Sequence, residues 1–439
     1  MKISSFLRIS LVTFCFCFQA NAQRSPNIIL IMADDLGFET LGVNGSDDYN
    51  TPNLDKLAQE GMNFTQTYSM PLCTPSRVQI MTGKYNFRNY IGFGLLDPNE
   101  LTFADYLKEA GYKTFITGKW QLYGNDNQQE LAGGKIGSLP EEAGFDEYFL
   151  WQIKELGSRY KDPLISSNSG TQTYTGKYGP DLFTEQVNLF MEKNKEEPFF
   201  IYYPMAITHD PFVPTPSNPG FEDFDSKSKI NDPIYFGEMV NYMDKLVGSI
   251  VAKTEELGIR ENTLILFVGD NGTDRKVTSS QLGTSIKGDK GYTTTAGTHV
   301  PFIANWKGKI KPESINDNLI DFSDFLPTLL ETVNYQNSGA IQTDGLSFYS
   351  QLMGDNTKKR DWIYCYYAPN WGKFENATYV QNTEWKLYGD GRIYSMTSDP
   401  LEQTPLQKSS LPKDVRKKIS TFEKVMEGYE VTKLTHSNP

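Results

Sequence analysis

The sequence predicts an α/β fold, a large doubly wound, mostly parallel sheet flanked by helices, with a smaller C-terminal subdomain of antiparallel strands and one helix. Three observations carry this expectation. Unbroken apolar runs rich in β-branched and aromatic residues recur at 28–32, 113–117, 198–203, 263–268 and 300–304, as in strands covered on both faces. Segments with helical periodicity alternate with them. From about Ile310 the texture changes to short strand-like runs separated by Gly turns.

The elements follow in order. Residues 1–22 read as a secretory signal: Lys2 and Arg8 flank the start, an apolar run covers 9–18, and Ala20-Asn21-Ala22 resembles a peptidase site. A lipoprotein signal using Cys15 or Cys17 fits less well, because large residues precede each Cys. The run is too short for a permanent membrane span, and no later segment reaches the necessary ~20 apolar residues. The protein is therefore expected to be exported, periplasmic or secreted, with no transmembrane segment after signal removal. Helices are expected at 54–60 after a candidate Asn53 cap, and at 102–110, 181–193 and 236–257. The last has Met239, Met243, Leu246, Val247 and Ile250 at spacings of three and four. Gly111 and Gly258 stand where a left-handed residue closes a helix. The segment 157–178 is polar and rich in Ser, Thr and Gly, and reads as a long substrate loop. A helix at 321–333 leads into a polar stretch, 334–344. Strands at 362–367, 377–381, 385–388 and 392–396 and a charged helix at 412–429 complete the chain. The expected division is a main domain at 23–335 and a smaller one at 336–439.

Composition narrows the function. The 439 residues carry 42 Lys+Arg against 54 Asp+Glu, a formal net charge of −12, with 38% hydrophobic residues. A disordered chain would lack these core formers, and an acidic one is a poor nucleic-acid binder. An anionic ligand would have to be held by a local basic site inside an acidic shell. Outside the signal only Cys73 and Cys365 remain. A disulfide between them is conceivable in an oxidising compartment, but Cys73 lies in the compact run Cys73-Thr74-Pro75-Ser76-Arg77, which reads as a site.

Polar clusters follow four of the apolar runs. They are Asp34-Asp35, then Gly118-Lys119-Trp120, then Thr208-His209-Asp210, and Gly269-Asp270-Asn271-Gly272. In an open parallel sheet the ligand crevice lies at the carboxyl ends of the strands, so these clusters should converge. Asp34, Asp35, Asp270 and Asn271 offer hard oxygen ligands, which suit Ca²⁺ or Mg²⁺ rather than zinc. Either pair alone is an ordinary turn sequence; their joint placement favours the metal. His209 is one of only three His, and the only one after a predicted strand whose end faces the crevice.

The run Cys73-Thr74-Pro75-Ser76-Arg77 resembles the Cys-x-Pro-x-Arg signature of the formylglycine-dependent type I sulfatases, members of the alkaline-phosphatase superfamily. The likeness extends through Pro26-Asn27-Ile28 to Asp34-Asp35-Leu36-Gly37, Thr51-Pro52-Asn53-Leu54-Asp55, Thr82-Gly83, Gly118-Lys119-Trp120, Gly269-Asp270-Asn271-Gly272, and Lys290-Gly291 followed by Val300-Pro301. It is strongest toward bacterial exported polysaccharide sulfatases. The resemblance implies that a formylglycine-generating maturation enzyme converts Cys73 to formylglycine, the hydrated nucleophile. It further implies that Asp34, Asp35, Asp270, Asn271 and residue 73 hold calcium, and that Arg77 and Lys119 stabilise the formylglycine. Lys290 would grip sulfate oxygens and His209 would protonate the leaving alcohol. One hydroxyl of the gem-diol attacks sulfur and the alcohol leaves; the other then expels sulfate by re-forming the aldehyde. Two departures stand out: Gln121 replaces a family His and cannot shuttle a proton, and His299 replaces an Arg before Val300-Pro301.

Aromatic side chains in loops suit the apolar faces of sugar rings. Trp120, Gln121 and Tyr123 are expected to bind substrate, with Trp151 and Trp371 nearby; His299 is expected to contact substrate, to support a residue that does, or simply to pack. The sequence thus predicts an exported calcium-dependent sulfatase acting on sulfated carbohydrate. Its rivals are a phosphomonoester or phosphodiester hydrolase of the same superfamily and a non-catalytic sulfated-glycan binding protein.

Overall fold

The first strand that the chain makes lies at the centre of the molecule. In the computed structural model, which describes residues 24–337, 339 and 341–436, Asn27–Ala33 pairs in parallel with both Phe199–Pro204 and Thr263–Gly269. The expected signal segment lies outside the described residues. The main sheet has ten strands. Their order is Ser314–Asn316, Met62–Phe64, Phe302–Trp306, Thr263–Gly269, Asn27–Ala33, Phe199–Pro204, Lys113–Lys119, Glu147–Trp151, Leu164–Ser167 and Gly170–Thr173. The five strands from Thr263–Gly269 to Glu147–Trp151 are parallel, and antiparallel pairs flank them on both sides.

Alternation along the first strand divides the interior in two. Ile29 and Ile31 face a core shared with Phe183 and Val187 of helix Gly179–Asn194 and Met239, Met243 and Val247 of helix Phe236–Glu256. Ile28, Leu30 and Met32 face a second core with Val78 and Met81 of helix Cys73–Thr82, Phe103 and Leu107 of helix Phe103–Glu109, and Phe325 and Leu329 of helix Phe325–Thr332. Burial on both faces explains why these strands are apolar without interruption. Gly111 and Gly258 take the positive φ expected of helix-closing residues.

Three expectations need correction. The strand expected at 300–304 starts at Phe302, because Val300 and Pro301 belong to the approach, and it runs antiparallel to Thr263–Gly269. A parallel partner would need a crossover helix to return to the other end of the sheet. Between 270 and 301 the chain makes only the hairpin Thr278–Gln281/Thr284–Lys287 and the four-residue helix Thr295–Thr298. The segment 157–178 is not an open loop, since it contributes the last two strands at one end of the sheet. Asn53 does not cap the second element: Thr51 is the N-cap of helix Pro52–Gln59, while Asn53 Nδ2 donates to Asp244 Oδ2 at 2.7 Å.

The C-terminal strands Ile363–Tyr367, Ala377–Gln381, Trp385–Tyr388 and Ile393–Ser395 form an antiparallel sheet in sequence order. Helix Lys413–His436 packs Ile419 and Phe422 on Tyr364, Val380, Leu387 and Ile393 of one face. The other face packs Ile363, Cys365, Tyr367 and Tyr379 against Met70, Leu72 and Cys73, so this sheet buttresses the segment leading into the Cys73 helix. Cys73 and Cys365 are not bridged. Among the described residues no helix is long and apolar enough to cross a membrane.

Candidate active site

The carboxyl ends of the parallel strands and the N-terminus of helix Cys73–Thr82 meet in one place. Cys73 is the first residue of that helix, and all ten of its residues are buried. Arg77, one turn on, directs its Nη1 to the Trp120 carbonyl at 2.5 Å and its Nη2 to the Lys119 carbonyl. This ties the helix to the end of strand Lys113–Lys119. The loops after the strands are stitched together through the backbone: Asp270 N donates to the Ala33 carbonyl at 2.9 Å and Thr208 N to the Asp34 carbonyl at 2.9 Å. Asp35 N donates to Asp270 Oδ1 at 2.9 Å. Gly272 has to be glycine, because a Cβ there would lie 1.9 Å from the Ala296 carbonyl oxygen.

The convergence is tight. Ligand atoms of Asp34, Cys73 and Asp270 lie within 4.8 Å of one another, as do those of Asp34, Asp35 and His209. Lys119 Nζ lies 2.8 and 3.0 Å from the two oxygens of Asp34, and Lys290 Nζ lies 2.6 Å from Asp35 Oδ2. Burial would raise the Asp34 carboxyl, but Lys119, His209, Lys290 and Arg159 outweigh it and hold the group below its ordinary range. Burial, then Asp34 and Asp35, push the Asp270 carboxyl well above its ordinary range. Three carboxylates thus crowd Lys119 and Lys290, with the Arg159 guanidinium farther out, 3.8 Å from Asp34. Asn271 Nδ2 donates to Asp35 Oδ1 at 2.9 Å, while its carbonyl Oδ1 is buried without a hydrogen-bond partner. Three crowded carboxylates and an orphaned amide oxygen fit a hard divalent cation.

His209 stands at the rim. Its Nδ1 lies 3.0 Å from Asp210 Oδ1, and its Nε2 lies 3.8 Å from Asp35 Oδ2. Asp210 is fixed in turn by Lys276 Nζ at 2.9 Å and Asn231 Nδ2 at 3.0 Å. The His209 contact, working against burial, holds the Asp210 carboxyl far below its ordinary range. Tyr160 donates to the carbonyls of Ala206, at 2.9 Å, and His209, pinning the loop that carries the imidazole. The arrangement presents an acid–base group, clustered cations and a hard-metal ligand set around the head of one helix.

A family model described as sulfatase matches residues 26–335. The chain belongs to the sulfatase family. It is a hydrolase of sulfuric esters, and a second model, for the C-terminal part of N-sulphoglucosamine sulphohydrolase, matches residues 288–427. The mouse (Mus musculus) N-acetylgalactosamine-6-sulfatase is 27% identical, over 85% of this chain and 75% of its own length. The ulvan-active sulfatase of Formosa agariphila is 27% identical, over 88% and 78%. A structure solved in complex with its substrate D-glucosamine-2-N,6-O-disulfate superimposes with a TM-score of 0.75 at 19% identity, covering 95% of this chain and 99% of that one. The phosphonate monoester hydrolase of Agrobacterium radiobacter shares the fold, with a TM-score of 0.66 at 17% identity over 94% and 95%.

In this sulfatase the structure brings together Asp34, Asp35, Cys73, Arg77, Lys119, His209, Asp270, Asn271 and Lys290. Of the expected substrate binders, Trp120 and His299 have their rings packed within the protein. Trp120 is fully buried in the second core, and its Nε1 donates to the Ser138 carbonyl at 2.9 Å. His299 is stacked between Phe38 and Tyr68, with ring centroids 4.1 and 5.0 Å away, and its Nε2 lies 2.9 Å from the Thr65 carbonyl. Tyr123 packs against the second core with the Lys154 ammonium 5.1 Å over its ring. Gln121 sits in a left-handed turn at φ 47, held by its N–H to the Gln152 carbonyl. Trp120→Phe should therefore lower stability by roughly 1–3 kcal/mol, through the lost indole hydrogen bond and a cavity, and leave KM within about twofold. Denaturant midpoints and steady-state kinetics check this. Sequence reasoning missed Arg159 and Tyr160 altogether and gave Asp210 no role, although adjacency to His209 was a usable signal for the last.

Proposed function

We propose that the protein is an exported, calcium-dependent sulfatase that removes sulfate from a sulfated carbohydrate, using a hydrated formylglycine made from Cys73. The main domain would span 23–335 and the smaller one 336–439, with 1–22 the export signal. The observation that carries the reading is Cys73, heading a buried helix in Cys-x-Pro-x-Arg and within 4.8 Å of Asp34 and Asp270. A thiol is a soft donor among hard carboxylates, whereas an oxygen-bearing residue matches them. Burial also pushes the Cys73 thiol up, away from the reactive thiolate. Formation of that residue requires a maturation enzyme as partner.

Asp34, Asp35, Asp270 and Asn271 would hold the calcium, which would supply charge neutralisation for an incoming anion. The chain's own groups do the rest. The positive end of helix Cys73–Thr82 favours negative charge at residue 73, and Arg77 and Lys119 brace that position. Lys290 would hold sulfuryl oxygens, and His209 Nε2 would deliver the proton to the leaving alcohol. Carbohydrate as the leaving group is supported by a cavity of about 490 Å³ whose wall begins at Gly291, the residue after Lys290, and includes Tyr292, Tyr367, Asn376 and Arg392. The named substrates of the mouse and Formosa relatives are likewise sugars.

The decisive experiment screens matured protein against sulfated mono- and oligosaccharides alongside the matching phosphate esters. Turnover confined to phosphate esters would overturn the reading, and no turnover with intact sulfate-glycan binding would leave a binding protein. Exhaustive chelation, or Asp270→Ala, should lower activity by about 10²-fold or more, with calcium restoring the chelated wild type. Unchanged rates in protein shown metal-free by elemental analysis would refute the metal assignment.

A further inference from the structure

We propose that Arg159 contacts the substrate, its guanidinium donating to a non-bridging oxygen of the sulfuryl group; this rests on the reading of the site as a sulfate ester hydrolase. The other cations of the site already have partners in the protein, although Lys290, bonded to Asp35 alone, keeps ammonium hydrogens for sulfuryl oxygens. Lys119 spends its ammonium on both Asp34 oxygens, Lys290 on Asp35, and Arg77 both terminal nitrogens on carbonyls. Arg77 Nε also lacks a partner, but that side chain is sealed among buried residues. Arg159 differs. Its Nη1 is buried with no hydrogen-bond partner and stops 3.8 Å short of Asp34 Oδ2, beyond hydrogen-bond range.

The orientation of the group is set in advance. The guanidinium carbon lies 3.9 Å from the Trp151 ring centroid, and Trp151 is locked by its Nε1 on the Gly157 carbonyl at 2.7 Å. The next residue, Tyr160, holds the His209 loop, so one short segment would register the anion and the acid against each other. A desolvated donor without an acceptor costs stability. A tetrahedral anion arriving beside Asp34 would supply the acceptor, and a planar guanidinium suits it. No local pattern hints at this role, because Arg159 lies in a polar stretch without strand alternation.

The test uses metal-loaded protein and inorganic sulfate as the probe, titrated by calorimetry into the wild type, Arg159→Gln and Arg159→Lys, with calcium affinity measured in parallel. Arg159→Gln should weaken sulfate binding about ten- to hundredfold, lower kcat/KM on a sulfated sugar at least as much, and leave calcium affinity within about threefold. Arg159→Lys should recover part of the loss. Unchanged sulfate affinity, or a loss wholly matched by lost calcium affinity, overturns the proposal and leaves Arg159 as support for Asp34. If Arg159→Gln does not fold, Arg159→Lys decides alone: it loses the flat fork seated on Trp151 and should bind sulfate at least about threefold more weakly, and wild-type affinity would overturn the proposal. A wild type that binds sulfate but hydrolyses no sulfate ester would instead overturn the underlying reading, a failure visible before any variant is compared.

Discussion

Cys73→Ala is expected to abolish turnover while leaving the fold intact, and the Cys73 peptide of active protein is expected to have lost its thiol and to react with aldehyde reagents. The fold should survive because the side chain is small. Removing it from the cluster with Met70, Leu72 and Cys365 costs on the order of 1 kcal/mol, within reach of most domains. Turnover should not survive, because the variant removes the group proposed to attack sulfur, which lies within 4.8 Å of Asp34 and Asp270. Cys73→Ser separates two roles. Its hydroxyl could accept the sulfuryl group but, lacking a second oxygen on the same carbon, could not expel sulfate by forming an aldehyde. That variant should accumulate a sulfate ester detectable by peptide mass. A fully active preparation whose Cys73 is still a free thiol would sink the mechanism.

How much of this is legible in the sequence depends on the kind of signal each element carries. The central strands are legible, because burial on both faces writes an unbroken apolar run. The proposed metal ligands follow from them, since Asp34, Asp35, Asp270 and Asn271 directly succeed two such runs. The outermost hairpin, Leu164–Ser167 and Gly170–Thr173, is not legible: its second strand is exposed throughout and its residues are polar. Trp120 misleads through its neighbour. Strand Lys113–Lys119 sends Lys119 to Asp34, and alternation then turns the next side chain toward the core, away from any substrate. Arg159 and the anchoring of Asp210 by Lys276 and Asn231 depend on segments far apart in the chain, and no local pattern encodes such meetings.

His209→Ala should damage hydrolysis of a sugar sulfate far more than that of an activated aryl sulfate. A sugar alkoxide is a poor leaving group and needs a proton as the S–O bond breaks, a contribution of about 10²–10⁴-fold from a general acid, whereas a nitrophenolate leaves unaided. The geometry suits proton delivery, because Asp210, 3.0 Å from Nδ1, orients the ring and leaves Nε2 toward the carboxylate cluster. Asp210→Asn should therefore act in the same direction with a smaller effect, about tenfold, because it loosens the ring without removing it. Gln121→Ala should slow both substrates alike, since an amide positions groups but supplies no proton. Measuring kcat/KM for both substrates on the three variants tests the assignment. Equal slowing of the two substrates by His209→Ala would make His209 a sulfate-binding group and move the acid elsewhere. It could not move to His299, whose imidazole is pushed down to about 4 by burial and stacked between Phe38 and Tyr68. Such an imidazole is neutral at working pH, and its Nε2 hydrogen is held by the Thr65 carbonyl rather than offered to a leaving group.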